Sequence, residues 1–270
     1  KMLLNKNHSL KNLNTFGVDV KAKLFAEVFS EDEIITLLAD EKINPDKKLV
    51  LGSGSNILFT KDFDGLIIKL SAANIQIVEE DKDFVLVEAD AGVTWDDLVK
   101  YCVERNFGGI ENLTLIPGTV GAAPIQNIGA YGQELADTFE SLNGVFIDSS
   151  EQKTYRKSEC RSFYRSSIFK QELKNKFIVT SLRLKLSRVP KTNTNYKALS
   201  DFLIKKGIAN PTIKDISNAV AEIRRSKLPD PMKIGNAGSF FKNPVVSEEN
   251  FRKLKNDYPE ITSFPSESGL

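Results

Sequence analysis

Gly52-Ser53-Gly54-Ser55-Asn56 directly follows the apolar run KKLVL. Glycines and exposed amides at the end of a strand can wrap a phosphate as an anion-binding nest, and the same residues also suit a plain structural turn. Ile57 stands where a dinucleotide fingerprint would carry its third glycine, and no Gly-Lys-Ser/Thr follows, so neither a Rossmann nor a P-loop reading survives. A second run of small residues comprises Pro117, Gly118, Gly121, Ala122, Ala123, Gly129, Ala130 and Gly132, with Gln126 and Asn127 between its halves. A stretch so short of side chains gives up apolar burial. That favours close approach of backbone to a flat ligand over tight packing of two strands.

Two residues could handle charge and protons. Arg165 follows Tyr164 in ECRSFYRSS, and a guanidinium there can stabilise an enolate or bind a carboxylate or diphosphate bidentately; a solvated arginine is the alternative. Ser239 lies between Gly238 and Phe240-Phe241, where a hydroxyl could deliver a proton under aromatic cover or be an ordinary loop serine. Arg224, Arg225 and Lys227 close a helix before Pro229, where they balance the helix dipole with or without a bound diphosphate.

Composition narrows the field. With 37 Lys+Arg against 36 Asp+Glu in 270 residues, the net charge of +1 gives no whole-molecule reason to expect nucleic acid as a partner. His8 is the only histidine, which excludes histidine-clustered zinc sites and argues against a Ser/His/Asp triad, so no metal is expected. Cys102 and Cys160 lack C-x-x-C spacing, and Cys102 falls on the apolar face of a predicted helix, as in a reducing compartment. No run approaches the roughly 20 apolar residues of a membrane span, and KMLLNKNHSL has no sustained apolar segment or small-residue cleavage site. A cytoplasmic protein without membrane partners is expected.

The elements that must position these residues follow from periodicity. AKLFAEVF reads as a strand, Ser30 and Glu33 as a capping box before Ile34, Ile35, Leu37 and Leu38, and KKLVL and LIIKL as further strands. NIQIVEEDKDFVLVEAD alternates on both sides of Asp81-Lys82-Asp83, the pattern of an antiparallel hairpin. Thr94 and Asp97 cap a helix bearing Trp95, Leu98, Val99, Cys102 and Val103 on one face. Strands are expected near 140–147 and 177–186. Thr212 and Asp215 then cap a helix that ends at Pro229, and another capped helix starts from Ser247.

The segments NHSLKNLNTFG, LGSGSNILF, ENLTLIPGTVGAAPIQNIGAYG, ECRSFYRSSIFK, RRSKLPDP and GNAGSFFKNP stand in the order found in the UDP-N-acetylenolpyruvoylglucosamine reductase family, which the chain resembles from about residue 7 onward. The resemblance implies an α+β protein. Its parts are an FAD-binding domain of the PCMH or vanillyl-alcohol-oxidase type in two α/β subdomains, 1–70 and 71–205, and a substrate domain, incomplete here, at 206–270. It implies that Gly52 to Asn56 hold the FAD diphosphate and that Pro117, Gly118, Gly121, Ala122, Ala123, Gln126, Asn127, Gly129 and Ala130 lie beside the isoalloxazine. By motif match, Arg165 looks like the residue that stabilises the substrate enolate and Ser239 like the general acid. Tyr164, Tyr196, Lys227 and Asn243 resemble substrate-binding positions.

The implied reaction is ping-pong: NADPH reduces FAD, then hydride reaches C3 of the enolpyruvyl group of a UDP-sugar and Ser239 protonates C2. The family's catalytic glutamate falls beyond Leu270, and Glu248, Glu249 and Glu260 lack its motif context, so a chain ending there is expected to bind FAD but turn over poorly. Another PCMH-type flavoprotein, such as an oxidase of small alcohols, would share the FAD loops without NAGSFFKNP. A catalytically idle flavin-binding protein is the reading from a different class.

Overall fold

The computed structural model describes residues 2–41, 43, 45, 47–239 and 241–264. Its first sheet takes β1 (Leu3–Ser9), β2 (Lys21–Val28), β3 (Lys48–Leu51) and β4 (Phe63–Leu70) in the order β1-β2-β4-β3. β2 and β3 both run parallel to β4, which explains why LIIKL reads as a continuous apolar run rather than an alternating one. Leu66 and Ile68 face a cluster built on α1 (Glu31–Ala39), while Ile67 faces the opposite cluster with Leu10, Phe25 and Leu51. The Ser30 cap is present, donated to by Glu33 N at 3.2 Å, but the Glu33 carboxylate takes Phe29 N at 2.9 Å instead of closing the expected capping box on Ser30 N.

The second sheet is antiparallel throughout: β5 (Ile75–Glu80), β6 (Phe84–Asp90), β9 (Phe139–Phe146), β10 (Gln152–Arg156) and β11 (Phe177–Ser187), ordered β10-β9-β11-β6-β5. The expected hairpin turns on Asp81, whose carboxylate accepts from Phe84 N and Asp83 N and is held below its usual range mainly by those two bonds. α2 (Trp95–Glu104) buries Trp95, Leu98, Val99 and Cys102 against one face of this sheet, and Trp95 Nε1 donates to Leu113 O at 3.0 Å. Val145, Ile147 and Ile178 join the α1 cluster, and Glu31 accepts from Thr180 Oγ1 at 2.6 Å, so α1 is the hinge piece between the two sheets. Between β6 and β9 lie two two-residue strands, β7 (Gly129–Ala130) and β8 (Gln133–Glu134), and the single turn α3 (Leu135–Thr138).

After β11, α4 (Lys197–Lys205) and α5 (Ile213–Lys227) share one apolar cluster of Leu199, Leu203, Ile216, Ala219, Val220 and Ile223. The Thr212 capping box starts α5 as expected, and the expected division at 205/206 falls at the C-terminus of α4, between two helices that share this one core. The chain separates into two compact units, Lys1–Gly238 and Ser239–Leu270. Within the second, α6 (Glu248–Asp257) buries no residue and is stabilised by its Ser247 cap and by the pairs Arg252–Glu248 at 2.6 Å and Lys253–Glu249 at 2.7 Å.

Leu98 and Cys102 lie one turn apart on the buried face of α2, and burial pushes the Cys102 thiol up to about 12. Leu98→Ala should cost about 2–5 kcal/mol in denaturant unfolding. It should also raise the rate at which Cys102 reacts with a thiol reagent under native conditions by at least roughly tenfold. Unchanged labelling would show that the helix face is not held by this core.

Candidate functional site

The Gly52–Asn56 loop leaves β3 with Gly54 in the left-handed region at φ +64°, where an added Cβ would lie 2.0 Å from Leu13 O. Only glycine fits there. The amide N–H groups of Ser53, Gly54, Ser55 and Asn56 donate to no backbone carbonyl among the described residues, leaving a cluster of donors of the kind that binds an anion. Asn56 Nδ2 donates to Gln126 Oε1 at 3.2 Å, and Gly52 comes so close to Thr119 that a Cβ would lie 2.8 Å from its Oγ1. The two small-residue runs, far apart in sequence, thus line one place, and the free amides fit the diphosphate of a dinucleotide cofactor.

Residues 120–126 of the second run form a 3₁₀ helix fastened to the scaffold through Val120 N to Val93 O (2.9 Å) and Gly121 N to Ala91 O (3.0 Å). Val120, Ala123 and Pro124 are buried, so the inner side of the run is core while Ala122 is exposed. Around it Leu115, Asn127, Tyr131 and Arg165 all adopt positive φ without being glycine. Such strained backbone persists where surrounding contacts over-determine it, commonly at binding sites.

Arg165 is the charged centre of this region. Its guanidinium donates to Asn127 O at 3.4 Å and to Gly129 O, stands 3.9 Å from Glu134 Oε1, and has the Tyr164 ring centroid 5.1 Å away. A Cβ on Gly129 would lie 2.7 Å from Nη1, so the missing side chain is what lets the guanidinium lie on the backbone. Asn127 organises the rest: buried, it donates to Glu134 Oε2 (2.7 Å) and Phe163 O (3.2 Å) and accepts from Ala136 N (2.9 Å). The site therefore presents a preorganised, partly exposed cation on the same run that meets the Gly52–Asn56 loop at Gln126, suited to hold negative charge that develops on a bound molecule.

Tyr196 lies at the adjoining edge, where a Cβ on Gly132 would be 3.7 Å from its own Cβ. It meets Tyr131 edge to face at 5.3 Å. Burial raises the Tyr131 phenol, with Arg224 opposing and Tyr196 adding to the rise, while burial lowers the Arg224 guanidinium against the pull of Tyr131 and Asp96. Asn112, fully buried, clamps this edge by donating to Tyr131 O and Asn193 O, both at 2.9 Å. Lys227 ends α5 one turn beyond Arg224 and is exposed.

Ser239 and Asn243 belong to the second compact unit, where both are exposed and outside its helix. Phe240, half of the aromatic cover expected beside Ser239, lies outside the described residues, as does the chain end at Leu270, and Phe241 is 85% exposed. Glu248 and Glu249 are occupied by Arg252 and Lys253 on α6.

Sequence reasoning missed Glu134, Tyr131 and Asn112, and read Arg224 as a helix-end charge with or without a bound diphosphate, not as a half-buried neighbour of Tyr131. No local pattern marks them. Their roles come from contacts across the fold, and only the left-handed turns around them have a sequence trace, in asparagine and glycine.

A family model described as an FAD binding domain matches residues 22–152. The UDP-N-acetylenolpyruvoylglucosamine reductase of Flavobacterium johnsoniae is 50% identical over 96% of this chain and 77% of its own length. The enzyme of the same name from Pseudomonas aeruginosa is 42% identical over 98% of this chain and 78% of its own. A solved UDP-N-acetylenolpyruvylglucosamine reductase from Thermus caldophilus superposes with a TM-score of 0.63 at 25% identity, over 90% of this chain and 75% of that one. A solvent-stable cholesterol oxidase shares the fold at a TM-score of 0.50 and 16% identity, over 69% of this chain and 38% of that one.

Gly54→Ala forces a side chain into the left-handed turn of the donor loop, a strain of about 1–3 kcal/mol. In a fluorescence titration of apoprotein with FAD, the variant should bind at least roughly tenfold more weakly while keeping its circular dichroism. Equal affinity would show that the loop does not carry the cofactor.

Proposed function

The chain belongs to the UDP-N-acetylenolpyruvoylglucosamine reductase family, and from that membership we propose that it reduces UDP-N-acetylenolpyruvoylglucosamine to UDP-N-acetylmuramate with NADPH, for peptidoglycan synthesis. The observation that carries the reading is the Arg165 guanidinium fixed on the Asn127 and Gly129 carbonyls, in the run that also meets the Gly52–Asn56 donor loop. FAD, when bound, supplies the two-electron chemistry that links the nicotinamide to C3 of the enolpyruvyl group. In this reading Gly52, Ser53, Gly54, Ser55 and Asn56 hold its diphosphate, and Pro117, Gly118, Gly121, Ala122, Ala123, Gln126, Asn127, Gly129 and Ala130 line its flat ring. Attachment is non-covalent: His8 is stacked on Phe25 at 4.0 Å, and both cysteines are buried.

The protein's part is electrostatic and protonic. Addition at C3 leaves negative charge on C2 and the carboxylate, and Arg165, held in place by its bonds to the Asn127 and Gly129 carbonyls, stabilises that enolate through its charge and its remaining N–H groups. Ser239 gives the proton to C2. Tyr164 borders the reacting group, while Tyr196, Lys227 and Asn243 bind the remainder of the substrate, the first two suited to its diphosphate. Residues 1–70 and 71–205 serve as the two FAD subdomains, supported by one sheet ending at Leu70 and the other starting at Ile75, and the substrate domain begins at 206. The substrate is a small nucleotide-linked sugar, a cytoplasmic location suits the NADPH requirement, and neither nucleic acid nor membrane takes part.

Stopped-flow measurement of the two half-reactions tests the assignment. In a form of the protein that spans the full length of its relatives, Ser239→Ala should leave flavin reduction by NADPH within about twofold and slow reoxidation by the enolpyruvyl substrate by roughly 10² to 10⁴. Equal slowing of both would remove Ser239 from the chemistry.

A further inference from the structure

The turn Asn14-Thr15-Phe16-Gly17 touches two glycine loops, and the function proposed above gives it no task. Asn14 makes the turn self-supporting: it is buried, donates to Leu10 O (2.7 Å) and Val18 O (3.0 Å), and accepts from Val18 N (3.0 Å). Thr15 reaches outward from this frame in two directions. Its N–H donates to Gly54 O in the donor loop at 3.2 Å. Its hydroxyl donates to Asn236 O at 2.6 Å, with Gly54 O a longer alternative at 3.4 Å, and its carbonyl accepts from Asn236 N at 3.2 Å.

Both loops are pressed onto the turn closely enough to need glycine. A Cβ on Gly54 would lie 2.0 Å from Leu13 O, and one on Gly235 would lie 2.5 Å from Phe16 O. Asn236 passes the constraint along the chain. Its Oδ1 accepts from Gly238 N at 3.1 Å, and its Nδ2 donates to Ile234 O at 2.8 Å and Pro229 O at 3.1 Å. Gly238 is bonded covalently to Ser239.

We propose that Thr15 is a positioning residue: its hydroxyl and carbonyl lock the Gly235–Gly238 segment onto the FAD-phosphate loop and so fix the anchor from which Ser239 delivers its proton. The inference rests on the role proposed for Ser239. A two-bond exchange between Thr15 and Asn236 holds the segment in translation and in rotation. One bond alone would let it pivot, and a displacement of about 1 Å at a proton donor costs on the order of 10²-fold in rate. The backbone bond from Thr15 N to Gly54 O does not depend on the side chain, so cofactor binding should survive loss of the hydroxyl.

The test uses the FAD-loaded enzyme in a form that spans the full length of its relatives, and the isosteric variant Thr15→Val, with Thr15→Ser as the conservative control. Thr15→Val should slow substrate-driven flavin reoxidation by about 10- to 100-fold while FAD affinity and reduction by NADPH stay within about threefold, and Thr15→Ser should restore reoxidation to within about threefold. The positioning role is overturned if Thr15→Val matches the unaltered enzyme, if both half-reactions slow together with loss of FAD, or if the serine variant fails to restore the rate. Absence of substrate-driven reoxidation in the unaltered enzyme would instead overturn the function on which the inference rests. Should the valine variant fail to fold, the serine variant decides: a reoxidation rate outside that range at normal FAD content overturns the proposal, and one within it supports it.

Discussion

Asn127 uses its side chain on two segments at once, donating to Glu134 and accepting from Ala136 N in one and donating to Phe163 O in the other, while its carbonyl takes a bond from Arg165. A buried amide must be fully paired or its desolvation goes uncompensated, so these partners cannot drift independently. That constraint joins the small-residue run to the FYR loop. Arg165 itself sits at positive φ, and the direction of its guanidinium is held by the Asn127 and Gly129 backbone carbonyls.

The two sheets exist, functionally, to bring that hub against the donor loop. The parallel strands β3 and β4 present the Gly52–Asn56 loop at a strand end, where amide groups run out of ladder partners. The antiparallel sheet and α2 hold the other run through Val93 and Ala91 carbonyls. α1 packs against strands of both sheets, and Glu31 bonds Thr180 across the gap, so the spacing between the two runs rests on a core rather than on the loops themselves. A site built this way can leave its ligand-facing surface bare of side chains without losing shape.

What the sequence made legible follows the range of the interactions responsible. Local signals were read correctly: the Ser30, Thr94, Thr212 and Ser247 caps, the Asp81 hairpin, and the periodic faces of α2 and α5. β1, β10 and α4 were not foreseen. β1 is an almost wholly exposed edge strand whose only partner among the described residues is β2, and β10 buries a single residue, Tyr155, so neither carries an alternating pattern. Both glycine runs were recognised by composition, yet the inner side of the second proved to be packed core as well as ligand-facing backbone. The hub at Asn127, the clamp at Asn112 and the Tyr131–Tyr196 ring pair depend on contacts between segments far apart, which no window of residues displays.

The central claim is that one site serves both a nicotinamide reductant and an enolpyruvyl sugar through a bound flavin. Anaerobic titration of the FAD-loaded protein, in a form that spans the full length of its curated relatives, tests it most directly. NADPH should bleach the flavin, and UDP-N-acetylenolpyruvoylglucosamine, added without oxygen, should restore its absorbance with one UDP-N-acetylmuramate formed per flavin. Flavin that stays reduced until oxygen is admitted would contradict the account.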